Sequence, residues 1–288
     1  MAHNGIATRH KIVIDPYHGR MIDMKYGCCI GAREADKLKT LRAIGYDYAE
    51  LPVSGVMELD DAEFDKLMND KESAGLPIPV LNVFLPGRLR LTGDNADMET
   101  AFAYVVEAIK RVNFIGAKLI VLGSAGARNV PEGFAPNKAN DQLLDFVIKS
   151  GRLFAEAGLQ LAIEPLNKGE SNIINTVTES YNLAMLSGQP NVGCLADFFH
   201  MATDGEDMSG IMLAGKRLLH AHFAEPNGRI YPPAPSEQYA PFFDALREIG
   251  YLQNGRVSIE ASYSDFEKDA EAALNVLKSY DYQISATG

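Results

Sequence analysis

Five times in this chain an amphipathic stretch stops at a glycine and a short apolar run begins at once, at Gly45, Gly75, Gly116, Gly158 and Gly250. Glycine takes the left-handed conformation that closes a helix, and the residues after it are then free to turn back as a strand. This punctuation predicts repeated helix–strand units rather than a helical bundle or a β-sandwich. The strand-like runs are KYGCCIG, YDYAELP, PVLNVFLPG, AKLIVLGSAG, LQLAIEP, NVGCLADFF, LLHAHFAEP and GRVSIEASY. Between them the apolar period becomes helical. In Asp97–Ile115, Phe102, Val105, Val106, Ile109 and Val112 share one face. Helices are also predicted over READKLKTLRAIG, AEFDKLMNDKESAG, Asn140–Ala157, Val177–Ser187, around Glu206–Ala214 and Glu237–Ile249, and over Asp265–Tyr280.

Eight such units over roughly 260 residues match the count and size of a (β/α)8 TIM barrel. A doubly wound sheet is the main rival, but no GxGxxG follows the first strand. LGSAGAR after the fourth strand lacks a P-loop lysine and reads as a βα loop within reach of a substrate. No linker or low-complexity segment divides the chain. Residues 25–288 are therefore read as one α/β barrel domain, and residues 1–24 as an N-terminal tail or an extra element.

A hydrophobic content of 47% is ample for a large core. The formal net charge of -11 argues against a nucleic-acid or anionic-membrane partner, both of which favour basic patches. No apolar run approaches a membrane span, and the N-terminus has no apolar segment of the kind a signal peptide carries. Cys28, Cys29 and Cys194 form neither a disulfide framework nor a CxxC site. Placed in strands, they are expected to be buried thiols in a reducing cytoplasm.

In a barrel of this kind the chemistry sits where the strands end. Strands five to eight end at Glu164, Asp197, His222 and Glu260, which are 33, 25 and 38 positions apart, each about one βα unit. One strand-end carboxylate usually caps a helix or forms a salt bridge. Three carboxylates and an imidazole facing one pocket would repel strongly unless a cation sat among them. Oxygen-rich ligation with one histidine favours Mn²⁺, Mg²⁺ or Co²⁺, with Zn²⁺ at an open site as the alternative.

Other polar residues surround these four. The stretch LQLAIEPLNKGESNIINT carries Glu164, Asn167, Glu170, Asn172 and Asn175. Glu170 either meets a substrate or supports its loop through Asn172. His200, three places after Asp197, either faces the site or caps a helix. Arg229 either reaches the site or stays in solvent. His220 lies one layer below His222 and suits a hydrogen-bonded support. Glu50 is a further residue facing the site from strand two. Arg88, Arg90 and Arg128 lie in loops where they would meet either a substrate phosphate or water.

IEPLNKGESNIINT, LADFFHM, HAHFAEPN and SIEASY make the chain resemble the sugar isomerase/epimerase family with a xylose-isomerase-like barrel. The resemblance runs from Lys25 over nearly the whole chain and is greatest to the ketose 3-epimerase branch, which includes the D-tagatose and D-psicose epimerases. It implies a divalent ion, Mn²⁺ or Co²⁺, held by Glu164, Asp197, His222 and Glu260. It also implies that Glu164 and Glu260 exchange protons with a substrate carbon, while Glu170, His200 and Arg229 hold hydroxyls. The branch reads E-x-N-R where this chain has Glu225-Pro226-Asn227-Gly228-Arg229, one residue longer. A homo-oligomer, dimer or tetramer, is implied as well, with the apolar Phe242–Ile249 as a contact. DNA-repair endonucleases share the barrel, but they need several zinc ions and more histidines, which an acidic chain with six histidines does not fit.

The expected activity is therefore inversion of C3 of a ketose through a metal-stabilised enediolate, with Glu164 and Glu260 as the two acid–base groups. Three other readings stay open. They are isomerisation of a sugar or sugar phosphate, dehydration of an inosose-type ketone, and a non-catalytic sugar-binding barrel with a structural metal.

Overall fold

The computed structural model describes residues 13–14 and 21–281. Eight parallel strands close into a barrel: β1 (Lys25–Cys29), β2 (Tyr48–Pro52), β3 (Val80–Asn82), β4 (Leu119–Leu122), β5 (Gln160–Ile163), β6 (Val192–Asp197), β7 (Leu218–Phe223) and β8 (Arg256–Ile259). Every strand pairs with its sequence neighbours, and β8 closes the ring on β1. All eight strand-like runs of the sequence are barrel strands. Val13–Ile14 and Met21–Ile22 form a separate antiparallel pair.

The helices of the outer layer are α1 (Lys37–Ile44), α2 (Val53–Met57), α3 (Asp61–Ala74), α4 (Met98–Ile115), α5 (Ala125–Arg128), α6 (Pro136–Glu156), α7 (Val177–Leu186), α8 (Phe198–Asp204), α9 (Ser209–Ala214), α10 (Ala240–Glu248) and α11 (Phe266–Ser279). Local chemistry sets their ends. Asp60 accepts from the Glu63 amide while the Glu63 carboxylate accepts from the Asp60 amide, a reciprocal cap that starts α3. All five punctuating glycines adopt positive φ, and Gly45, Gly75 and Gly116 are themselves the C-caps. Sequence periodicity misplaces two details. α1 begins at Lys37, because Arg33–Asp36 are spent on turns. The segment expected over Glu206–Ala214 is helical only from Ser209, and α2, α5 and α8 are short extra helices, α2 and α8 following their strands directly and α5 after Gly123 and Ser124.

Two apolar regions hold the barrel together. The larger lies between strands and helices, with Leu38, Leu41, Val105, Phe146 and Phe154 fully buried. Each such side chain contributes about 1.5–3 kcal/mol by leaving water. The smaller fills the barrel itself with Tyr48, Val80, Leu119, Val121, Ala162 and Leu195. Tyr48 fits there because position 27 is glycine, where a Cβ would stand 2.1 Å from the phenol ring. Phe223, Phe198, Tyr239, Phe242 and Phe243 make an aromatic cluster with centroids 5.0–5.9 Å apart around Phe223. Phe242, Phe243 and Leu246 of α10, expected at a subunit contact, are buried by this chain's own core.

Candidate active site

The carboxyl ends of β5 to β8 converge at one mouth of the barrel. Glu164 follows β5, Asp197 ends β6, His222 is the penultimate residue of β7 and Glu260 follows β8. One ligand atom from each lies within 4.8 Å of the others. His222 Nδ1 stands 3.0 Å from Glu164 Oε1 and 3.4 Å from Glu260 Oε2. The register slips by one residue after Cys194 in the β6–β7 pair, and this places Asp197 directly opposite His222.

Asp197 takes both roles open to a strand-end carboxylate. Its Oδ1 accepts from the Phe199 amide at 2.7 Å and caps α8. Its Oδ2 is buried without a hydrogen-bond partner. An orphaned carboxylate oxygen costs on the order of 1–3 kcal/mol or more, unless a cation takes it. Three carboxylates and one imidazole nitrogen are a donor set for a hard or borderline divalent ion, so these residues fit a metal. Position 123 must be glycine for the same cluster, since a Cβ there would stand 2.1 Å from Glu164 Oε2.

A buried network beneath the cluster orients the imidazole. His222 Nε2 donates to Glu50 Oε1 at 2.9 Å, and His220 Nε2 donates to Glu50 Oε2 at 2.8 Å. Ser258 Oγ donates to Glu50 Oε2 at 2.5 Å, and Tyr48 stands behind Ser258 at 2.9 Å. With Nε2 committed to Glu50, Nδ1 is the nitrogen offered to the cluster, the usual carboxylate–histidine arrangement of metal sites. His220 is thus a support, as its deeper position suggested, and Glu50 meets the site through the two rings, with a ligand atom also within 4.8 Å of Cys29.

The charges perturb one another strongly. Burial raises the Glu50 carboxyl, but His222 and His220 outweigh it and the net shift is downward. Burial and the Glu260 charge both push the Glu164 carboxyl up. Burial would raise Glu260 too, yet His222 and Arg229 bring it down to about 2. Burial would lower His222, and the carboxylates of Glu50, Glu260 and Glu164 instead raise it well above the ordinary range. The field that holds a proton on this ring is the field that would hold a cation.

Arg229 reaches the cluster despite the extra residue before it. Gly228 at φ 88° and Arg229 at φ 48° absorb the insertion in the hairpin closed by Glu225 and Ile230. The guanidinium donates to Glu260 Oε2 at 2.8 Å and to Glu170 Oε1 at 3.3 Å, and its carbon sits 4.7 Å above the Phe199 ring. Glu170 joins the site through Arg229 and Asn167. Asn172 instead ties the loop at both polar groups of Val130, and Asn175 holds the Leu166 and Ser171 carbonyls. His200 is buried one turn into α8, with Nε2 3.6 Å from Asp197 Oδ2.

None of the three loop arginines lines the cavity above the cluster. Arg128 is fully buried and donates to the Leu122 and Ile174 carbonyls. Arg88 pairs with Glu58 at 3.6 Å on the surface, and Arg90 donates to the Gly126 carbonyl. Cys28 and Cys194 are buried as expected, but Cys29 is only partly so. It lies at the mouth, 3.5 Å from Asn82 Nδ2, and burial with the Glu50 charge raises its thiol well above the ordinary range.

Above the cluster opens a cavity of about 450 Å³ whose wall includes Glu164, Glu170, Arg229, Glu260, Ser54, Val83, Leu85 and Ser124. Val83, Ser124 and Arg229 all have positive φ, strain that the surrounding structure maintains at the mouth. Several contributors were not singled out from the sequence. Asn82 donates to Glu260 Oε1 at 2.7 Å, and its signal was a polar residue closing the apolar run PVLN. Gly123 and Ser258 carried no comparable signal, since Gly123 matters only for the Glu164 side chain of the neighbouring strand and Ser258 only for Glu50 and Tyr48, two strands away.

Among curated proteins, the D-psicose 3-epimerase of Ruminiclostridium cellulolyticum is 24% identical over 228 residues, 77% of this chain and 76% of that protein. The L-ribulose 3-epimerase of Methylomonas sp. is 25% identical, covering 82% and 80%. The crystal structure of D-psicose 3-epimerase with D-tagatose from Clostridium cellulolyticum H10 superposes with a TM-score of 0.78 at 18% identity over 89% of this chain and 98% of that one. Residues 38–280, which hold seven of the eight strands and all four clustered side chains, match one family throughout. The chain belongs to the xylose isomerase-like TIM barrel family.

Proposed function

We propose that this protein is a divalent-metal-dependent epimerase that inverts C3 of an unphosphorylated ketose. The observation that carries this reading is the pair Glu164 and Glu260, flanking His222 Nδ1 at 3.0 and 3.4 Å on the floor of a cavity whose wall carries four glutamates and Arg229. Glu164, Asp197, His222 and Glu260 would hold the ion, with Mn²⁺ first and Co²⁺, Mg²⁺ or Zn²⁺ as alternatives. When bound, the ion supplies Lewis-acid stabilisation for charge on the sugar oxygens next to the acidic carbon.

The protein residues perform the proton transfers. One of Glu164 and Glu260 removes the C3 proton, and the other returns a proton to the opposite face. Arg229, shared between Glu260 and Glu170, holds both carboxylates in place over the Phe199 ring. Glu170 and His200 orient the hydroxyls. Charge argues against a sugar phosphate. Among the described residues Arg229 is the one cation in the cavity wall, it is already within ion-pair distance of three carboxylates, and Glu58, Glu164, Glu170 and Glu260 line the same space. Free thiols at Cys28, Cys29 and Cys194 are consistent with a reducing cytoplasm. Exposed Met185 and Leu186 on α7, beside Met212 and Leu213 on α9, are consistent with a homo-oligomer.

The test is a panel of free and phosphorylated ketoses incubated with Mn²⁺ in D₂O. C3 epimers of free ketoses carrying deuterium at C3 are expected, and chelation with EDTA should stop turnover. Loss of water would identify a dehydratase instead, and activity after complete metal removal would refute the reading.

A further inference from the structure

Behind the substrate side of the cavity, one residue controls the hydrogen-bonding sense of two others. Asn167 lies in the loop after β5 and is buried. Its Oδ1 accepts from the Gly169 amide at 2.9 Å, which settles the orientation of the side-chain amide. Its Nδ2 must then be the group that faces His200 Nδ1 at 2.8 Å and Glu170 Oε1 at 3.0 Å. The backbone N–H of Asn167 also points at His200 Nδ1, at 3.2 Å. Two N–H groups from one residue therefore converge on a single ring nitrogen.

A nitrogen that faces two donors serves as an acceptor, so the ring proton belongs on Nε2. His200 Nε2 is buried and has no hydrogen-bond partner; Asp197 Oδ2, 3.6 Å away, has no hydrogen bond either and lies 3.9 Å from Arg229 Nη2. An N–H there is a donor without an acceptor, next to the Asp197 carboxylate of the cluster. Glu170 is fixed in the complementary sense. Its Oε1 already accepts from Asn167 Nδ2 and Arg229 Nη1, which leaves Oε2 to accept from a hydroxyl.

We propose that Asn167 is a positioning residue that sets the tautomer of His200 and the orientation of Glu170, so that the site presents one donor and one acceptor to neighbouring oxygens of the sugar. The donor, His200 Nε2–H, suits an oxygen that gains negative charge during the reaction. The acceptor, Glu170 Oε2, suits a hydroxyl that keeps its proton. The substrate part of this inference rests on the ketose reading above, whereas the tautomer part stands on the hydrogen bonds alone.

Asn167→Asp is the informative variant. It is isosteric and keeps an oxygen for the Gly169 amide, but it replaces the Nδ2 donor by an acceptor that draws the ring proton to His200 Nδ1. Long-range ¹H–¹⁵N correlation spectra of ¹⁵N-histidine-labelled protein read the tautomer directly, with His200 assigned by the signal missing in His200→Gln. Wild type is expected to carry the proton at Nε2, and Asn167→Asp to place a proton on Nδ1. Asn167→Ala keeps the backbone donor and should keep the tautomer. In the metal-loaded protein, Asn167→Asp should lower kcat/KM for the ketose by about 100-fold, with Mn²⁺ affinity within a few-fold of wild type. A wild-type ring protonated at Nδ1, or a tautomer indifferent to Asn167→Asp, would overturn the proposal. So would a loss of Mn²⁺ affinity that accounts for the whole kinetic defect. If no ketose turned over but the ring behaved as described, the ketose reading would fall and the tautomer assignment would survive.

Discussion

Gly123→Ala separates the geometry of the site from the stability of the fold. Gly123 follows β4, and its backbone is not in the left-handed region, so alanine is conformationally acceptable there. The new methyl would lie 2.1 Å from Glu164 Oε2 and 3.2 Å from Glu164 Cδ. Carbon and oxygen in contact need about 3.3 Å, so the carboxylate must move by roughly 1 Å. The clashing atom is the end of a flexible side chain, and the fold should lose no more than about 1–2 kcal/mol. Catalysis is far less tolerant, because a misplacement of about 1 Å can cost roughly 100-fold in rate. Expected outcomes are kcat lower by about 100-fold, weaker Mn²⁺ binding by calorimetric titration, and a melting temperature within a few degrees of wild type. Wild-type turnover and metal affinity, with Glu164 unmoved in a crystal structure of the variant, would refute the assignment of Glu164 to the centre.

Other perturbations test separate parts of the reasoning. Glu164→Gln and Glu260→Gln, examined in circular dichroism and turnover assays, should each fold and lose on the order of 10²–10⁴ in kcat; an active Glu260→Gln enzyme would support a non-catalytic metal site. Adding Mn²⁺ at about 100 times its Kd should raise unfolding free energy by about 2.7 kcal/mol, and Asp197→Asn should abolish most of that gain. Glu206 gives a pH test remote from the site. Burial pushes this half-buried carboxyl up to about 7, so the folded chain holds its proton where the unfolded chain has released it. That contribution is complete below the ordinary carboxylate range and is lost as pH rises toward 7. Glu206→Gln retains an acceptor for the Val177 amide. It should match wild type at pH 5 and be more stable at pH 8 by about 1 kcal/mol, after discounting for solvent screening.

Much of the architecture was legible because it is local. A helix that ends on a positive-φ glycine, followed by an apolar run, is decided within about a dozen residues, and five of the eight strands follow such a glycine. Strand-end residues are nearly as legible. In a closed parallel barrel every strand end lies at the same rim, so the spacing of Glu164, Asp197, His222 and Glu260 already implied that they meet.

Contacts across the barrel and between its loops belong to the tertiary structure alone. Glu50 and His222 are 172 positions apart, and only strand tilt and register decide that a β2 carboxylate lies under a β7 imidazole. The Cys194 register slip, which sets Asp197 opposite His222, leaves no mark in the hydrophobic pattern. Arg128 is as polar in sequence as Arg229, yet one is folded inward onto carbonyls and the other brought to the carboxylates by two positive-φ residues. Periodicity records which face of an element is apolar. It holds no information on which polar side chains meet, because those pairings depend on how separate elements are oriented when the ring closes.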